Sequence, residues 1–463
     1  MNTGPFECGK NPSSAYRVTV IGSGVSGSSL AKLASELGYS VFVSEQKQIE
    51  RSIIDMYQKY GISYESGGHS EEIYQCDIMI LSSGISPVAE PVRKALEKGI
   101  RVEGEVDFTA PFLKGKILGI TGSNGKTTTT LMTGHLLEKA GIRVGIAGNI
   151  GSPLADHANR ENEVLVVELS SFQLFWSRVL TLDLAVVTNI EPDHIDWHGS
   201  LEGYYSAKRK ITGMVRQGGK VICQERDMKV LFSGEITDQV IPLVRGKDAV
   251  HKYSSAIILD EDHAAYNFSG KIIKLFDHSD IALLGSHNLE NAAMSSTAFI
   301  ELGGPINSIR EDLASFKAPP HRCELVDIIE GVSYVDDSKG TNVAATVAAL
   351  RSLHGRKIII LGGKGKGEDY SPLAEAVAAQ ADLAILIGEE KARIRESLVQ
   401  TGFTNIKDVN SMEEAVVAAS GSSGPGSIVL LSPACTSWDM YQNYKERGED
   451  FKNCVNRIRK GEL

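Results

Sequence analysis

The chain has no uninterrupted apolar run longer than five residues, whereas a membrane-spanning helix needs about 20. The pattern excludes a spanning helix and a membrane partner. Basic residues are not in excess: 48 Lys and Arg against 58 Asp and Glu leave a net charge of −10. Binding to nucleic acid rests on clustered cations that neutralise phosphate, so nucleic acid is not an expected partner. Cysteine is sparse: Cys8, Cys76, Cys223, Cys323, Cys435 and Cys454 are widely spaced, with no C-x-x-C pair. That spacing excludes a disulfide framework or a zinc site and suits reduced thiols in the cytoplasm. Proline is scarce at 14 residues against 46 glycines, a balance that favours tight turns between regular elements. With 42% hydrophobic and 23% charged residues, the composition is that of an ordinary globular chain, neither disordered nor fibrous. At roughly 150 residues per domain, 463 residues predict about three domains.

A recurring phrase organises the first third: a helix-like stretch, a Gly, then a β-branched run. It occurs at Leu37-Gly38-Tyr39, Tyr60-Gly61-Ile62, Lys98-Gly99-Ile100 and Ala140-Gly141-Ile142, and each reads as a helix stopped by a left-handed glycine before a new strand. Short apolar runs at Val18–Ile21, Ile78–Leu81, Ile117–Ile120, Val164–Val167, Leu184–Val187, Ile358–Leu361, Leu383–Ile387 and Ile428–Leu431 lack polar alternation, as parallel strands buried on both faces do. The fold class is α/β throughout. The expected organisation is a flexible leader at 1–16, a first domain at 17–113, a central domain at 114–318 and a C-terminal domain at 319–463. Lys317-Ala318-Pro319-Pro320-His321 serves as a linker, because Pro-Pro cannot continue a helix. Between about Lys220 and Leu284 the pattern turns β-rich. It predicts a hairpin at Phe268-Ser269-Gly270-Lys271 and a small sheet appended to the central domain.

Three segments carry chemistry. Gly22-Ser23-Gly24-Val25-Ser26-Gly27 follows a strand and opens a helix, and Glu45 closes the next strand. This is the geometry of a dinucleotide loop that sets a pyrophosphate on a helix N-terminus. NAD, FAD or any diphosphate nucleotide satisfies it, and so does tight strand-to-helix packing alone. Thr121-Gly122-Ser123-Asn124-Gly125-Lys126-Thr127-Thr128 also joins a strand to a helix. Its N–H groups can cradle phosphates, Lys126 can reach the terminal phosphates and Thr127 can ligate magnesium. It is a variant phosphate loop, with Ile120 where the common spacing has glycine and Gly122 instead. Glu168 ends an apolar strand, where α/β sheets place ligands, and can hold magnesium or stand as a solvated turn. Downstream, Glu191-Pro192-Asp193-His194-Ile195-Asp196-Trp197-His198 crowds carboxylates and imidazoles together. Asp193 there reads equally as a helix cap or a metal ligand. Lys208, by charge pattern alone, reads as a solvated surface lysine. Cys435, among small residues and without an evident base, reads as a packed thiol.

These segments, with Glu168-Leu169-Ser170-Ser171-Phe172-Gln173-Leu174, Ser286-His287-Asn288-Leu289-Glu290-Asn291, Pro320-His321-Arg322, Asp337-Ser338-Lys339 and Leu431-Ser432-Pro433-Ala434-Cys435, resemble the Mur ligase family over essentially the whole chain after the leader. The resemblance implies a Rossmann-like N-terminal domain, a central P-loop ATPase-like domain with a mostly parallel sheet, and a Rossmann-like C-terminal domain. It also implies ATP-dependent amide formation through an acyl phosphate, with UDP-N-acetylmuramoyl-L-alanine and D-glutamate as partners. ATP and two Mg2+ are the implied cofactors, and the enzyme is expected to be a cytoplasmic monomer. In the first domain it implies that Val25, Ser26, Glu45, Gln46 and Gly84 hold UDP rather than NAD, joined by Asn149 and His194. Ser82-Ser83-Gly84 stands where relatives commonly carry Ser-Pro-Gly. ATP would meet Gly122, Ser123, Asn124, Gly125, Lys126, Thr127, Thr128, Asn288, Asn291, Arg322, Asp337 and Lys339. Lys126, Glu168, His194 and Lys208 would be catalytic, with magnesium on Thr127, Glu168, His194 and a carbamylated Lys208. His321, Thr341, Lys366, Ser437 and Tyr444 would hold D-glutamate. Without the resemblance, Lys366 reads as solvated and Ser437 as a helix cap. The rival functions are an amide ligase for another amino acid or for folate, a nicotinamide-dependent reductase and a nucleotide-driven switch.

Overall fold

The computed structural model describes residues 16–232, 238–246, 252–281, 283, 285–317, 320–353, 355–365 and 367–463. The leader up to residue 15, Ala318 and Pro319 of the linker, and Lys366 lie outside them. The described residues build three α/β sheets.

The first comprises β1 (Arg17–Ile21), β2 (Ser40–Glu45), β3 (Ser63–Ser66), β4 (Ile78–Leu81) and β5 (Arg101–Gly104). Its order is β3-β2-β1-β4-β5 and every pair is parallel. Successive residues of one strand enter opposite cores: Ile78 and Ile80 pack with Val18 and Val20 on one face, Met79 and Leu81 with Ile21 on the other. Continuous apolar runs are the consequence of this two-sided burial. The four helix-stopping glycines have φ of +84° at Gly38, +65° at Gly61, +74° at Gly99 and +76° at Gly141. A side chain at any of them would meet nothing within 4 Å, so the left-handed backbone alone calls for glycine.

The second sheet comprises β6 (Lys116–Thr121), β7 (Val144–Gly148), β8 (Val164–Glu168), β9 (Leu182–Val187), β10 (Val215–Gln224), β11 (Val240–Arg245), β12 (Ser255–Leu259), β13 (His263–Phe268) and β14 (Lys271–Asp277). Its order is β14-β13-β12-β11-β10-β9-β6-β8-β7. The strands from β7 through β12 in that order are parallel, and β13 runs antiparallel to β12. The β-rich stretch is therefore no separate appended sheet. β10 pairs with β9 on one side and β11 on the other, which continues the central sheet and leaves no open edge at β9. The hairpin forms where expected: Ser269 and Gly270 have φ of +48° and +89°, the left-handed pair of a two-residue turn.

The third sheet comprises β15 (Glu324–Ile329), β16 (Val332–Asp336), β17 (Arg356–Gly362), β18 (Leu383–Ile387), β19 (Ile406–Asp408) and β20 (Ser427–Leu431). Its order is β15-β16-β20-β17-β18-β19, antiparallel only at β15–β16. Ile358 and Ile360 enter one core, Ile359 and Leu361 the other.

The chain groups into two compact units: Met1–Phe276 with Ala293–Asp312, which carries the first two sheets, and Asp277–Ala292 with Leu313–Leu463, which carries the third. Among the described residues no helix is long and apolar enough to cross a membrane. Cys76, Cys223, Cys323, Cys435 and Cys454 are free thiols.

The glycines of the first loop divide by what surrounds them. A Cβ at Gly27 would fall 2.0 Å from the Gly22 carbonyl oxygen, whereas at Gly24 it would meet nothing within 4 Å. We expect Gly27→Ala to cost about 1–3 kcal/mol through overpacking and to lower the thermal midpoint. Gly24→Ala, at an ordinary φ of −65°, should leave the midpoint unchanged. Equal midpoints for the two variants would contradict this packing argument.

Candidate active site

The central site forms where four adjacent parallel strands end. β6 lies between β8 and β9 although the chain reaches both later, so the direction of winding reverses at β6. Ligands of α/β sheets bind at the C-terminal ends beside such a reversal. The loop Gly122–Gly125 leaves β6 there and the helix Lys126–Lys139 begins. Gly125 closes the loop at φ +78°. Gly122, at φ +152°, is pressed so closely on the next strand end that a Cβ would sit 1.9 Å from Thr188 Oγ1.

The segment after β9 holds the loop in place. The Ser123 amide donates to Asn189 O at 2.9 Å, and the Asn124 amide to Asn189 Oδ1 at 2.9 Å. Ser123 Oγ donates to Glu191 O at 2.7 Å and accepts from the Glu191 amide at 2.8 Å. Its one proton is then used, so the Tyr204 hydroxyl, 2.7 Å away, is the donor in their pair. Lys126 folds back so that Nζ donates to Gly122 O at 2.6 Å and Ser123 O at 2.8 Å. Thr127 and Thr128 are buried at the first turn.

Lys208 overturns its reading as a solvated lysine. It is 1% exposed and donates to Gly122 O at 2.7 Å and Thr121 Oγ1 at 3.1 Å. Burial and the nearby Lys126 charge push its pKa well below the usual lysine range, against the pull of Asp193 and Glu168. The reason is helical spacing: Tyr204, Ala207, Lys208 and Ile211 form the buried face of the helix Leu201–Gly213. Lys126, Glu168 and Asp193 are thus each close enough to act on Lys208.

Glu168 is buried at the end of β8. Asn149 grips it twice, its amide on Glu168 O at 2.9 Å and its Nδ2 on Oε1 at 2.7 Å, so Asn149 positions this carboxylate. Oε2 has no hydrogen-bond partner. A buried carboxylate oxygen left over in this way, close enough to act on a lysine of lowered pKa, fits a hard divalent cation with oxygen ligands. Asp193 does not cap the following helix. It accepts from the His194 amide at 2.9 Å, and the helix Ile195–His198 begins after His194 at φ +50° with no side-chain cap. His194 packs on Phe172, ring centroids 4.7 Å apart.

At the first sheet, Glu45 turns inward. Its Oε2 accepts from the Ser23 amide at 2.7 Å and its Oε1 from the Lys47 amide at 3.0 Å. Burial works against the charge, but these amide hydrogen bonds prevail and hold the carboxyl below its ordinary range. Val25 is 76% exposed, Gln46 is exposed and Ser26 half-buried. Two indoles hold the loop after β4: Trp197 Nε1 donates to Gly84 O at 3.0 Å and Trp176 Nε1 to Ile85 O at 3.4 Å.

In the C-terminal unit, the ends of β16, β20 and β17 are neighbours. They carry Asp337, Lys339 and Thr341, then Ser437, then Lys364, while the fifth expected pocket residue, Lys366, lies outside the described residues. Ser437 is buried and caps no helix. Its carbonyl accepts from the Met440 and Tyr441 amides in a turn, and the helix Tyr444–Lys460 is capped by Asn443. His321, at φ +69°, sets Nδ1 2.7 Å from Asp336 Oδ2. Tyr444 packs edge-on against the His321 ring and lies 5.1 Å beneath Lys339 Nζ. Asn291 Nδ2 donates to Asn288 Oδ1 at 3.2 Å. Arg322 acts electrostatically on both His287 and Asp337. Cys435 is a packed thiol: burial pushes its pKa up to about 12, and Sγ lies 3.2 Å from the Tyr370 hydroxyl. Arg447 escaped the sequence reading. It is buried and donates to Ser338 O, Cys435 O and Thr436 O at 2.8, 3.0 and 3.2 Å, bracing two strand ends at once. Its helical spacing with Tyr444, Gly448 and Phe451 was the available signal.

Comparison with known proteins agrees with this architecture. Family models match as the MurD N-terminal domain over residues 17–91, the Mur ligase middle domain over 120–299 and the Mur ligase glutamate ligase domain over 321–435. A protein of Geobacter sp. (strain M21), named UDP-N-acetylmuramoylalanine–D-glutamate ligase, is 35% identical over 455 residues, covering 96% of this chain and 98% of that protein. One of the same name from Acinetobacter baylyi is 35% identical over 446 residues, covering 95% and 98%. Among solved structures, UDP-N-acetylmuramate-alanine ligase of Thermotoga maritima superposes with a TM-score of 0.59 at 19% identity, covering 96% of this chain and all of that one. MurF ligase of the same organism, in complex with ADP, superposes at 0.59 with 17% identity, covering 92% and 96%. These two show the fold.

Burial pushes the Asp337 carboxyl up to about 7, with hydrogen bonds from Ser432 and Cys323 and the Arg322 charge opposing it. The folded state therefore keeps a proton that the unfolded chain loses near 3.8. Stability should fall as pH rises from about 4 to about 7 and level off above that. Asp337→Asn should flatten that fall in denaturant unfolding measured across pH. An unchanged slope would show that Asp337 is not its source.

Proposed function

This chain belongs to the Mur ligase family, and from that premise we propose that it joins D-glutamate to UDP-N-acetylmuramoyl-L-alanine with hydrolysis of ATP to ADP. The alanyl carboxylate attacks the γ-phosphorus, its oxygen bonds to phosphorus and ADP leaves. The amine of D-glutamate then attacks the acyl phosphate carbonyl, the C–O bond to phosphate breaks, and an amide forms as the amine sheds its protons. The same reading makes the enzyme a cytoplasmic monomer in peptidoglycan precursor synthesis.

The observation that carries the reading is the buried cluster around the Gly122 carbonyl, with Lys126 and Lys208 both bonded to it and Glu168 Oε2 unpartnered. In this reading the N–H groups of Gly125 to Thr128 receive phosphate oxygens, and Lys126 moves from its carbonyls onto the transferring phosphate. Asn288, Asn291, Arg322, Asp337 and Lys339 are the other residues this reading assigns to ATP. Thr127, Glu168, His194 and a carbamylated Lys208 hold two Mg2+, which when bound screen the repulsion between carboxylate and triphosphate. The lowered pKa of Lys208 favours the neutral amine, the form that can add carbon dioxide. Asn149 keeps the Glu168 carboxylate in one orientation. Val25, Ser26, Glu45, Gln46 and Gly84 take the UDP moiety, and His321, Thr341, Lys366, Ser437 and Tyr444 take D-glutamate.

The direct test is phosphate release with ATP, UDP-N-acetylmuramoyl-L-alanine and single candidate amino acids. D-glutamate should support it and L-lysine should not. A charge pair about 4 Å apart is worth on the order of 4 kcal/mol at an effective dielectric of 20, so Lys126→Ala should slow turnover about a thousandfold with an unchanged circular dichroism spectrum. Near-normal phosphate release by that variant would end the phosphate-loop assignment. Ser437→Ala should remove a hydrogen bond to a charged group worth about 1.5–3 kcal/mol. The loss in kcat/KM for D-glutamate should be roughly 10- to 150-fold, with the KM for ATP unmoved. Intact D-glutamate kinetics would remove Ser437 from the pocket.

A further inference from the structure

Arg447 is 2% exposed and has no part in the chemistry described so far. Its side chain extends from the helix Tyr444–Lys460 to the ends of β16 and β20. Among the described residues its hydrogen bonds go to carbonyl oxygens alone: Nη2 donates to Ser338 O at 2.8 Å and to Cys435 O at 3.0 Å, and Nη1 to Thr436 O at 3.2 Å. The register of these acceptors matters. Ser338 O belongs to the peptide unit that precedes Lys339, and Thr436 O to the one that precedes Ser437. Each unit has a second hold: the Lys339 amide donates to His321 O at 3.1 Å, and Thr436 O also accepts from the Lys364 amide at 2.9 Å. Two glycines let the helix and the guanidinium close in. A Cβ at Gly448 would fall 2.2 Å from His321 Nδ1 and 2.5 Å from Ser338 Oγ, and one at Gly363, just past β17, would fall 3.1 Å from Arg447 Nη1.

We propose that Arg447 is a positioning residue for the joining of D-glutamate: by holding the peptide units before Lys339 and Ser437, it sets the separation between the ammonium assigned to ATP and the hydroxyl assigned to the amino acid. This rests on the reading of those two residues as ligand contacts. A planar guanidinium offers donors in a fixed fork that meets carbonyls on two strand ends at once, which a tetrahedral ammonium does not. Burial pushes the Arg447 pKa down to about 10, so the group is still charged at neutral pH. Burying a charge on carbonyls alone is costly for stability. Bracing the fold does not by itself account for an arginine here, whereas fixing two ligand-facing residues does.

The test uses steady-state kinetics of the full-length enzyme. Arg447→Lys keeps the charge and loses the fork. It should raise the KM for D-glutamate and the KM for ATP each about tenfold, with the KM for UDP-N-acetylmuramoyl-L-alanine within about twofold. A purely structural brace would lower the active fraction, hence kcat, and leave all three KM values unmoved. Adding Arg447→Lys to Ser437→Ala should deepen the loss in kcat/KM for D-glutamate by less than about twofold, because Ser437 transmits the effect. If Arg447→Lys does not fold, Arg447→Gln carries the same measurements, since it leaves no unpaired charge to bury. A KM for D-glutamate within about twofold of wild type in a folded variant, losses that multiply with Ser437→Ala, or failure of both variants to fold would overturn the proposal. Should Ser437→Ala and Lys339→Ala themselves leave the D-glutamate and ATP kinetics intact, the reading of those two residues falls, and the proposal with it.

Discussion

The Gly122 carbonyl oxygen accepts from two lysine side chains, Lys126 at 2.6 Å and Lys208 at 2.7 Å. Two ammonium groups on one acceptor repel, and for a lysine 1% exposed the cost of burying charge is added to that repulsion. Folding resolves the conflict by lowering the pKa of the more deeply buried amine, and the surroundings are arranged for it. Thr121 Oγ1 gives Lys208 a second acceptor, and the Tyr204 ring lies 5.4 Å from Nζ. The Ser123 and Asn124 bonds to the segment after β9 keep the loop from opening to relieve the crowding. The loop's shape, the burial of Lys208 and the orientation of Glu168 are parts of one electrostatic solution.

Strained backbone also occurs beside residues assigned to function. Non-glycine residues with positive φ include His194 at +50°, His321 at +69°, Cys323 at +43° and Ala434 at +58°. His194 stands in the segment after β9, His321 and Cys323 flank Arg322, and Ala434 follows β20. Such conformations cost roughly 1–3 kcal/mol each and persist where surrounding contacts over-determine them. For His321 those contacts are visible: its amide donates to Glu324, its ring to Asp336, and its carbonyl accepts from the Lys339 amide. The segment leading into the third sheet is therefore rigid at the residue assigned to the amino-acid site.

Much of this fold was legible in the residues because two-sided burial writes itself as unbroken apolar runs. Leu383–Ile387 is a strand to the residue, and the four helix-stopping glycines all adopt the left-handed backbone. The continuation of the central sheet through β10 was not legible, since strand neighbours are chosen by edges that exist only after folding. Lys208 was misread because Lys208-Arg209-Lys210 looks like a charged run, although Tyr204, Ala207 and Ile211 place only the first on the buried face. The phosphate loop and Glu168 announced themselves through local pattern, whereas the roles of Asn288, Arg322 and Ser437 came from family resemblance, because hydrogen-bonding residues at strand ends are common.

The two indoles that reach the loop after β4 give the molecule an optical property of its own. Trp176 and Trp197 donate to adjacent carbonyls, Ile85 and Gly84, and the Trp197 ring also packs at an angle against Phe172 and His198, with centroids 4.8 and 4.6 Å away. Their emission is thereby tied to the placement of a loop assigned to the uridine end of the substrate. Trp438, the third and last tryptophan, is 68% exposed and contributes a water-relaxed, red-shifted background. The blue part of the intrinsic fluorescence spectrum is consequently a built-in gauge of that loop, readable without any attached label.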